Sequence, residues 1–127
     1  MAVASIGIDI VEVARVDEVI DRHGERFLTR VFTPAEVAYC RGRKRSVEHF
    51  AARWAAKEAA VKALRSAFEG SVGWHDVEVA KGDMGEPTLR LTGGAAALAR
   101  AQGIERLHLT ISHVKELAVA CVVAETE

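Results

Sequence analysis

From Ser46 to Glu69 no glycine or proline interrupts the chain, and alanine is the commonest residue there. Such a run has one favourable backbone, so the sequence predicts a single long α-helix ending at Gly70, around which any fold must be built. Phe50, Trp54, Val61, Leu64 and Phe68 recur at spacings of four, seven, three and four residues, which makes one apolar stripe. At about 100° per residue, Lys57 falls inside that stripe and Glu58 at its edge. Lys62 lies one turn beyond Glu58 on the same side. Charges this close to a core need partners, because unpaired burial is costly. The plainest reading is a Lys/Glu pair whose stems cover the core while their heads reach water.

The rest of the chain supplies short elements to cover this helix. Residues 3–13 read as a strand with Ile6, Ile8 and Ile10 on one face and Gly7, Asp9 and Val11 on the other. Val16, Val19 and Ile20 continue with helical spacing up to Gly24. Thr33, Pro34 and Glu36 form a helix start, with the threonine as N-cap, proline at the first turn and a capping-box glutamate; that helix should end near Gly42. Trp74–Ala80 and Thr88–Leu91 read as strands around a turn at 81–87. Ala95–Ala101 reads as a helix between Gly94 and Gly103. Leu107, Leu109 and Ile111 alternate, as do Leu117, Val119, Cys121 and Val123, which predicts a hairpin through 113–116. The expected class is α+β: an antiparallel sheet packed on one long central helix plus short helices, in a single domain over residues 1–127.

Asp9 interrupts its apolar strand two residues after Gly7, and that glycine leaves room for another group to approach closely. By itself Asp9 fits an edge strand facing water. Together with Glu58 it suggests more, since two carboxylates at ~4 Å repel by roughly 4 kcal/mol at an effective dielectric near 20. A divalent cation relieves that repulsion. Hard oxygen ligands, few carboxylates and nearby basic groups describe a Mg²⁺ site completed by water and substrate phosphate. Lys44, Arg45, Arg53 and Lys62 could supply charge for that phosphate. His113 ends a strand beside Ser112; their side chains point to opposite faces, which argues against a Ser–His nucleophile pair.

Charge placement agrees with an anion site. The net charge is −1, yet residues 41–65 hold eight Lys/Arg against Glu48 and Glu58, a local +6 that leaves −7 elsewhere. The two cysteines, Cys40 and Cys121, lack metal-type spacing and fit buried reduced thiols of a cytoplasmic protein. No basic leader or membrane-length apolar run is expected. No phosphate-loop, dinucleotide-binding, HExxH or CxxC motif occurs, and Gly93-Gly94 at a helix start is a weak anion signal. Aromatics do not interleave with the basic run, which argues against a nucleic-acid platform.

Three blocks, in order, resemble one family. Gly7-Ile8-Asp9-Ile10-Val11-Glu12-Val13-Ala14-Arg15-Val16 is similar to the N-terminal motif of the holo-acyl-carrier-protein synthases. Phe50–Ala63, with Lys57-Glu58 and Lys62 inside it, resembles their central helix, and Ile111-Ser112-His113 their third block. Phe32–Glu36, Gly73–Val79 and Gly85-Glu86-Pro87 are also similar to family segments. The resemblance implies a phosphopantetheinyl-transferase-like fold and Mg²⁺-dependent transfer of 4′-phosphopantetheine from coenzyme A to a serine of apo-acyl carrier protein for fatty acid biosynthesis. It implies Asp9 and Glu58 as metal ligands, Glu58, Lys62 and His113 as catalytic, and Lys44, Arg45, Arg53, Lys62 and His113 around the coenzyme's phosphates. It also implies Arg15, Arg22 and Arg26 as docking residues for the acidic carrier, and a homotrimer with its sites between subunits. The position after His113, often polar in the family, is Val114 here. Two apolar faces on Leu117–Ala124 fit such an assembly, with Ala120 and Val122 expected toward a neighbour. The competing expectation is a noncatalytic RNA- or protein-binding module using the basic segment 41–65.

Overall fold

The computed structural model describes residues 1–127. Strand β1 (Ala2–Glu12) leads into α1 (Val13–His23), α2 (Glu25–Val31), α3 (Pro34–Arg41) and the long α4 (Ser46–Ala63). A 3₁₀ turn at Trp74–Asp76 precedes the hairpin β2 (Val77–Lys81) and β3 (Pro87–Leu91). Helix α5 (Gly93–Ala101) and the hairpin β4 (Ile104–His113) and β5 (Leu117–Thr126) complete the chain. The arrangement is the expected α+β, with one refinement. The strands divide into a three-stranded antiparallel sheet ordered β1-β5-β4 and a separate β2-β3 pair.

The inner face of the large sheet lies on α4. Rows such as Asp9–Ala120–Ile111 and Val11–Ala118–His113 run across it. Close approach is possible because small residues line both surfaces: seven alanines between Ala51 and Ala63 are buried, as are Ala118, Ala120 and Ala124. At Gly7 the helix backbone sits directly on the strand; a Cβ there would overlap the Ala59 carbonyl oxygen and stand 2.8 Å from the Ala63 nitrogen. Gly7 therefore makes room for the central helix itself.

Helix α4 ends at Ala63, six residues before the expected stop. Arg65 and Glu69 adopt φ of 57° and 69°, which turns the chain out of the helix. Gln102 Nε2 donates to the Leu64 carbonyl at 2.7 Å, and Ser5 Oγ to that of Ala63. These tertiary bonds satisfy carbonyls a longer helix would use itself. Phe68 consequently leaves the stripe and stacks on Trp74, with ring centroids 3.9 Å apart. Helix α2 was absent from the sequence reading: Gly24, at φ 51°, ends α1 and starts the next helix within one residue. The predicted capping box at Thr33 forms, with Thr33 Oγ1 accepting from Glu36 N and Glu36 Oε1 from Thr33 N. Residues 74–76 are a 3₁₀ turn and the strand begins only at Val77. The Gly93-Gly94 helix start is met by the chain's own Asp76, whose Oδ2 accepts from Gly94 N at 3.2 Å, so the anion reading there is withdrawn.

The expected orientation of β5 is reversed. Ala118, Ala120, Val122 and Ala124 face the core, so Ala120 and Val122 cannot meet a neighbour. The outer face carries Val119, Cys121 and Val123 beside Ile6, Ile8 and Ile10, and those isoleucines are 63%, 61% and 62% exposed. Alternation was correctly read, but two apolar faces on one strand give no sign of which is inside.

Candidate active site

Asp9 reaches the inner edge of β1 beside α4, and Glu58 projects from α4 toward the same place. They line one cleft of about 390 Å³ with Arg15, Trp54, Glu12 and Leu117. Lys62 Nζ contacts Asp9 Oδ1 at 2.9 Å and the Ile8 carbonyl at 3.1 Å. Its head stays half exposed, so this ion pair is open to solvent and to a ligand. Burial first, and then the neighbouring Asp9 carboxylate, push the Glu58 acid above its ordinary value. Lys62 and a hydrogen bond from the Trp54 side chain pull it back in part. Two like charges held together beside one exposed ammonium favour a cation between them.

No group of three or more His, Cys, Asp or Glu side chains converges on one point. The Asp9–Glu58 pair does fit Mg²⁺, which takes one or two carboxylates and completes its shell with water and phosphate oxygens.

The basic residues lie elsewhere on the chain. Lys44 and Arg45 line a second cleft of about 590 Å³ with Lys115, Asp17 and Glu48. Arg53 and His113 line a third of about 180 Å³ with Tyr39, His49 and Lys81. Arg53 is buried flat on Tyr39, its guanidinium carbon 3.9 Å from the ring centroid, and its Nε has no hydrogen-bond partner. Burial opposes ionisation of Tyr39, yet Arg53, Lys81 and Arg43 outweigh it and lower the phenol. His113 Nδ1 lies 3.1 Å from Glu48 Oε1 and its ring 5.2 Å from that of His49. Burial first, then His113, disfavour a charge on His49.

Within one chain the expected set is thus two groups, Asp9 and Glu58 in one cleft with Lys62 bonded to Asp9, and Lys44, Arg45, Arg53 and His113 in others. His113 sits on β4, two strands from β1, roughly 10 Å across the sheet. Arg15, read as a docking residue, lines the carboxylate cleft itself. Arg22 is exposed and pairs with Glu18 at 3.1 Å. Arg26 borders an adjoining pocket of about 450 Å³ whose wall includes Phe27, Trp74 and the shared Trp54.

Lys57 departs most from the sequence reading. It is fully buried and pairs at 2.8 Å with Glu36, also fully buried, so neither head reaches water. Nothing local to Lys57 could identify a partner 21 residues earlier; the signal was only that a lysine on an apolar stripe needs one. With Arg53 and Lys57 both buried, the basic segment is not a continuous surface. That removes the support for a noncatalytic binding module.

Comparison with known proteins completes the picture. Residues 5–122 match the model of the 4′-phosphopantetheinyl transferase superfamily. A holo-[acyl-carrier-protein] synthase of Koribacter versatilis is 50% identical over 119 residues, covering 94% of this chain and 95% of the relative. The crystal structure of the Neisseria meningitidis synthase superposes with a TM-score of 0.90 at 30% identity, over 98% of this chain and all of that one. The Bacillus anthracis synthase, solved in complex with CoA (3′,5′-ADP), gives 0.81 at 36% identity over 98% of each chain. Paired carboxylates on strand and helix, the fold that joins them and these full-length matches agree, and the chain belongs to the 4′-phosphopantetheinyl transferase superfamily, among the holo-acyl-carrier-protein synthases.

Proposed function

We propose that this protein transfers 4′-phosphopantetheine from coenzyme A to a serine of apo-acyl carrier protein, serving fatty acid biosynthesis. The observation that carries the reading is the convergence of Asp9 and Glu58 in one cleft beside Lys62, in a chain of this family. Asp9 and Glu58 are the groups to hold Mg²⁺. When bound, that ion supplies charge neutralisation for the pyrophosphate and the leaving group.

Lys62 adds a half-exposed positive charge beside Asp9 and stabilises charge developing on the phosphate oxygens. The serine Oγ bonds to the pantetheine-side phosphorus as the bond to the bridging oxygen breaks, which releases adenosine 3′,5′-bisphosphate. Of the three carboxylates lining the cleft, Glu58 is the one to take the serine proton. Arg15, at the cleft mouth, with Arg22 and Arg26, attracts the acidic carrier and orients it.

Lys44, Arg45, Arg53 and His113 bind the coenzyme's phosphates, and they do so from a neighbouring subunit of a homotrimer. Support comes from the two-strand distance of His113 from Asp9 across the sheet and from the apolar outer face of β1 and β5. Ile10 and Leu117 border the carboxylate cleft, so a subunit covering that face comes next to it. A cyclic trimer repeats one such contact three times and closes. Cytoplasm, where thiols stay reduced, suits free Cys40 and Cys121. Mass spectrometry of apo-carrier incubated with coenzyme A, Mg²⁺ and the protein tests the reading. Addition of the phosphopantetheine mass is expected, and an unmodified carrier would overturn it.

A further inference from the structure

Lys57 and Glu36 are used nowhere in that chemistry, yet they form the most deeply buried ion pair of the chain, both at 0% side-chain exposure. Glu36 is bonded on every side. Its Oε1 accepts from Lys57 Nζ at 2.8 Å and Thr33 N at 2.8 Å, and its Oε2 accepts from Val79 N at 2.7 Å. One carboxylate thus joins α4 to the start of α3 and to β2. Thr33 Oγ1 extends the network by donating to Glu78 Oε2 at 2.6 Å.

The N-terminal half of the helix is held by Glu48 to His113 and by Arg53 over Tyr39, but around Glu58 fewer groups set its rotation. From Ala55 to Ala63 its buried residues are mostly alanine, and contact between small apolar surfaces is non-directional. Directional bonds must therefore fix the roll. On the β1 side these are Lys62 to Ile8 and Asp9, with Ser5 to Ala63. On the other side the anchor is Lys57 to Glu36. Lys57 precedes Glu58, so any roll at Lys57 moves Glu58 directly. A carboxylate ~6 Å from the helix axis swings by roughly 1 Å for a ~10° roll. Mg²⁺ accepts ligand distances only within about 0.2 Å.

We infer that the buried Lys57–Glu36 pair is a positioning device that sets the roll of α4 and so the placement of Glu58 against Asp9. The inference rests on the metal reading above. It predicts that removing the pair weakens metal binding while leaving the fold and the carrier surface on α1 and α2 in place. Replacing both charges together avoids the large cost of stranding one of them.

The test is Lys57→Met/Glu36→Gln, in which glutamine keeps one acceptor oxygen, for one of the two backbone N–H groups that Glu36 serves. Mn²⁺ binding, followed by electron paramagnetic resonance without substrate, is compared with that of the wild-type protein. Mn²⁺ affinity is expected to fall about 10–100-fold, as for other supporting groups of metal ligands. kcat should fall with it, while KM for the carrier, which docks on α1 and α2, stays within about twofold of wild type. Glu36→Asp, which keeps the charge but shortens its reach, serves as the milder variant should the double one not fold; it should show a smaller loss of the same kind. Unchanged Mn²⁺ affinity in a folded variant, beside clear binding by the wild type, overturns the inference alone. A wild-type protein that binds no Mn²⁺ overturns the metal reading and the inference together.

Discussion

Gly7→Ala adds one methyl group to the inner face of β1, where Ala59 and Ala63 of α4 already press on the strand backbone. The new Cβ would lie 2.8 Å from Ala63 N and overlap the Ala59 oxygen. Comfortable contact needs about 3.5 Å, so strand and helix must part by roughly 1.5 Å at the Ala59 oxygen. Both offending groups are backbone within a hydrogen-bonded helix, and neither can swing aside as a side chain would. Overpacking of this kind costs typically ~1–3 kcal/mol, and the rigid surroundings put this site at the upper end. Losing a strand glycine returns about 0.5–1 kcal/mol through the unfolded state, leaving a net cost of ~2 kcal/mol.

For a chain of this size that lowers Tm by roughly 6–10 °C. Asp9 lies two residues along the same strand face, so the displacement also carries it away from Glu58. Metal affinity should therefore drop even at temperatures where the variant is fully folded. Urea unfolding followed by circular dichroism gives the stability, and calorimetric titration with Mn²⁺ gives the second effect. A Gly7→Ala protein with wild-type stability would refute the claim that helix–strand contact at this glycine sets the spacing of the site.

Four further outcomes are expected. Asp9→Ala and Glu58→Ala should each remain folded and lose nearly all transfer; near-wild-type turnover at subsaturating Mg²⁺ in either would remove that residue as a ligand. Charge reversal at Arg22 and Arg26 together, outside the carboxylate cleft, should raise KM for the carrier and leave coenzyme binding nearly unchanged, and an unaltered carrier KM would sink the docking assignment. Ile8→Asp, on the exposed outer face of β1, should dissociate the assembly and abolish activity together; a fully active monomer in sedimentation equilibrium would place the whole site within one subunit. Burial pushes the Cys40 thiol up to about 12, so at pH 8 only about one molecule in 10⁴ carries its thiolate, and alkylation of Cys40 in the folded protein should be far slower than in urea. Because the unfolded thiol ionises first, its contribution to stability should decline as pH rises from 9.0 toward about 12.

The residues of the carboxylate site were legible because each broke a local pattern. Asp9 interrupts an apolar strand and Glu58 edges an apolar helical stripe, and Gly7 announced a close approach before anything showed what approached. The capping box at Thr33 and the β4–β5 hairpin were equally local, resting on residue types a few positions apart. Tertiary contact alone decided the rest. Helix α4 stops at Ala63 because Gln102 and Ser5, distant in sequence, take its last carbonyls. Lys57 found its counter-charge on another helix, where nothing in its own segment pointed. The inner side of β5 followed from which face the alanines of α4 could approach most closely, since alternation specifies two faces but not which one is buried. Periodicity and capping are short-range properties that a sequence carries in itself, whereas the partners of a buried charge and the end of a packed helix depend on chain segments that only folding brings together.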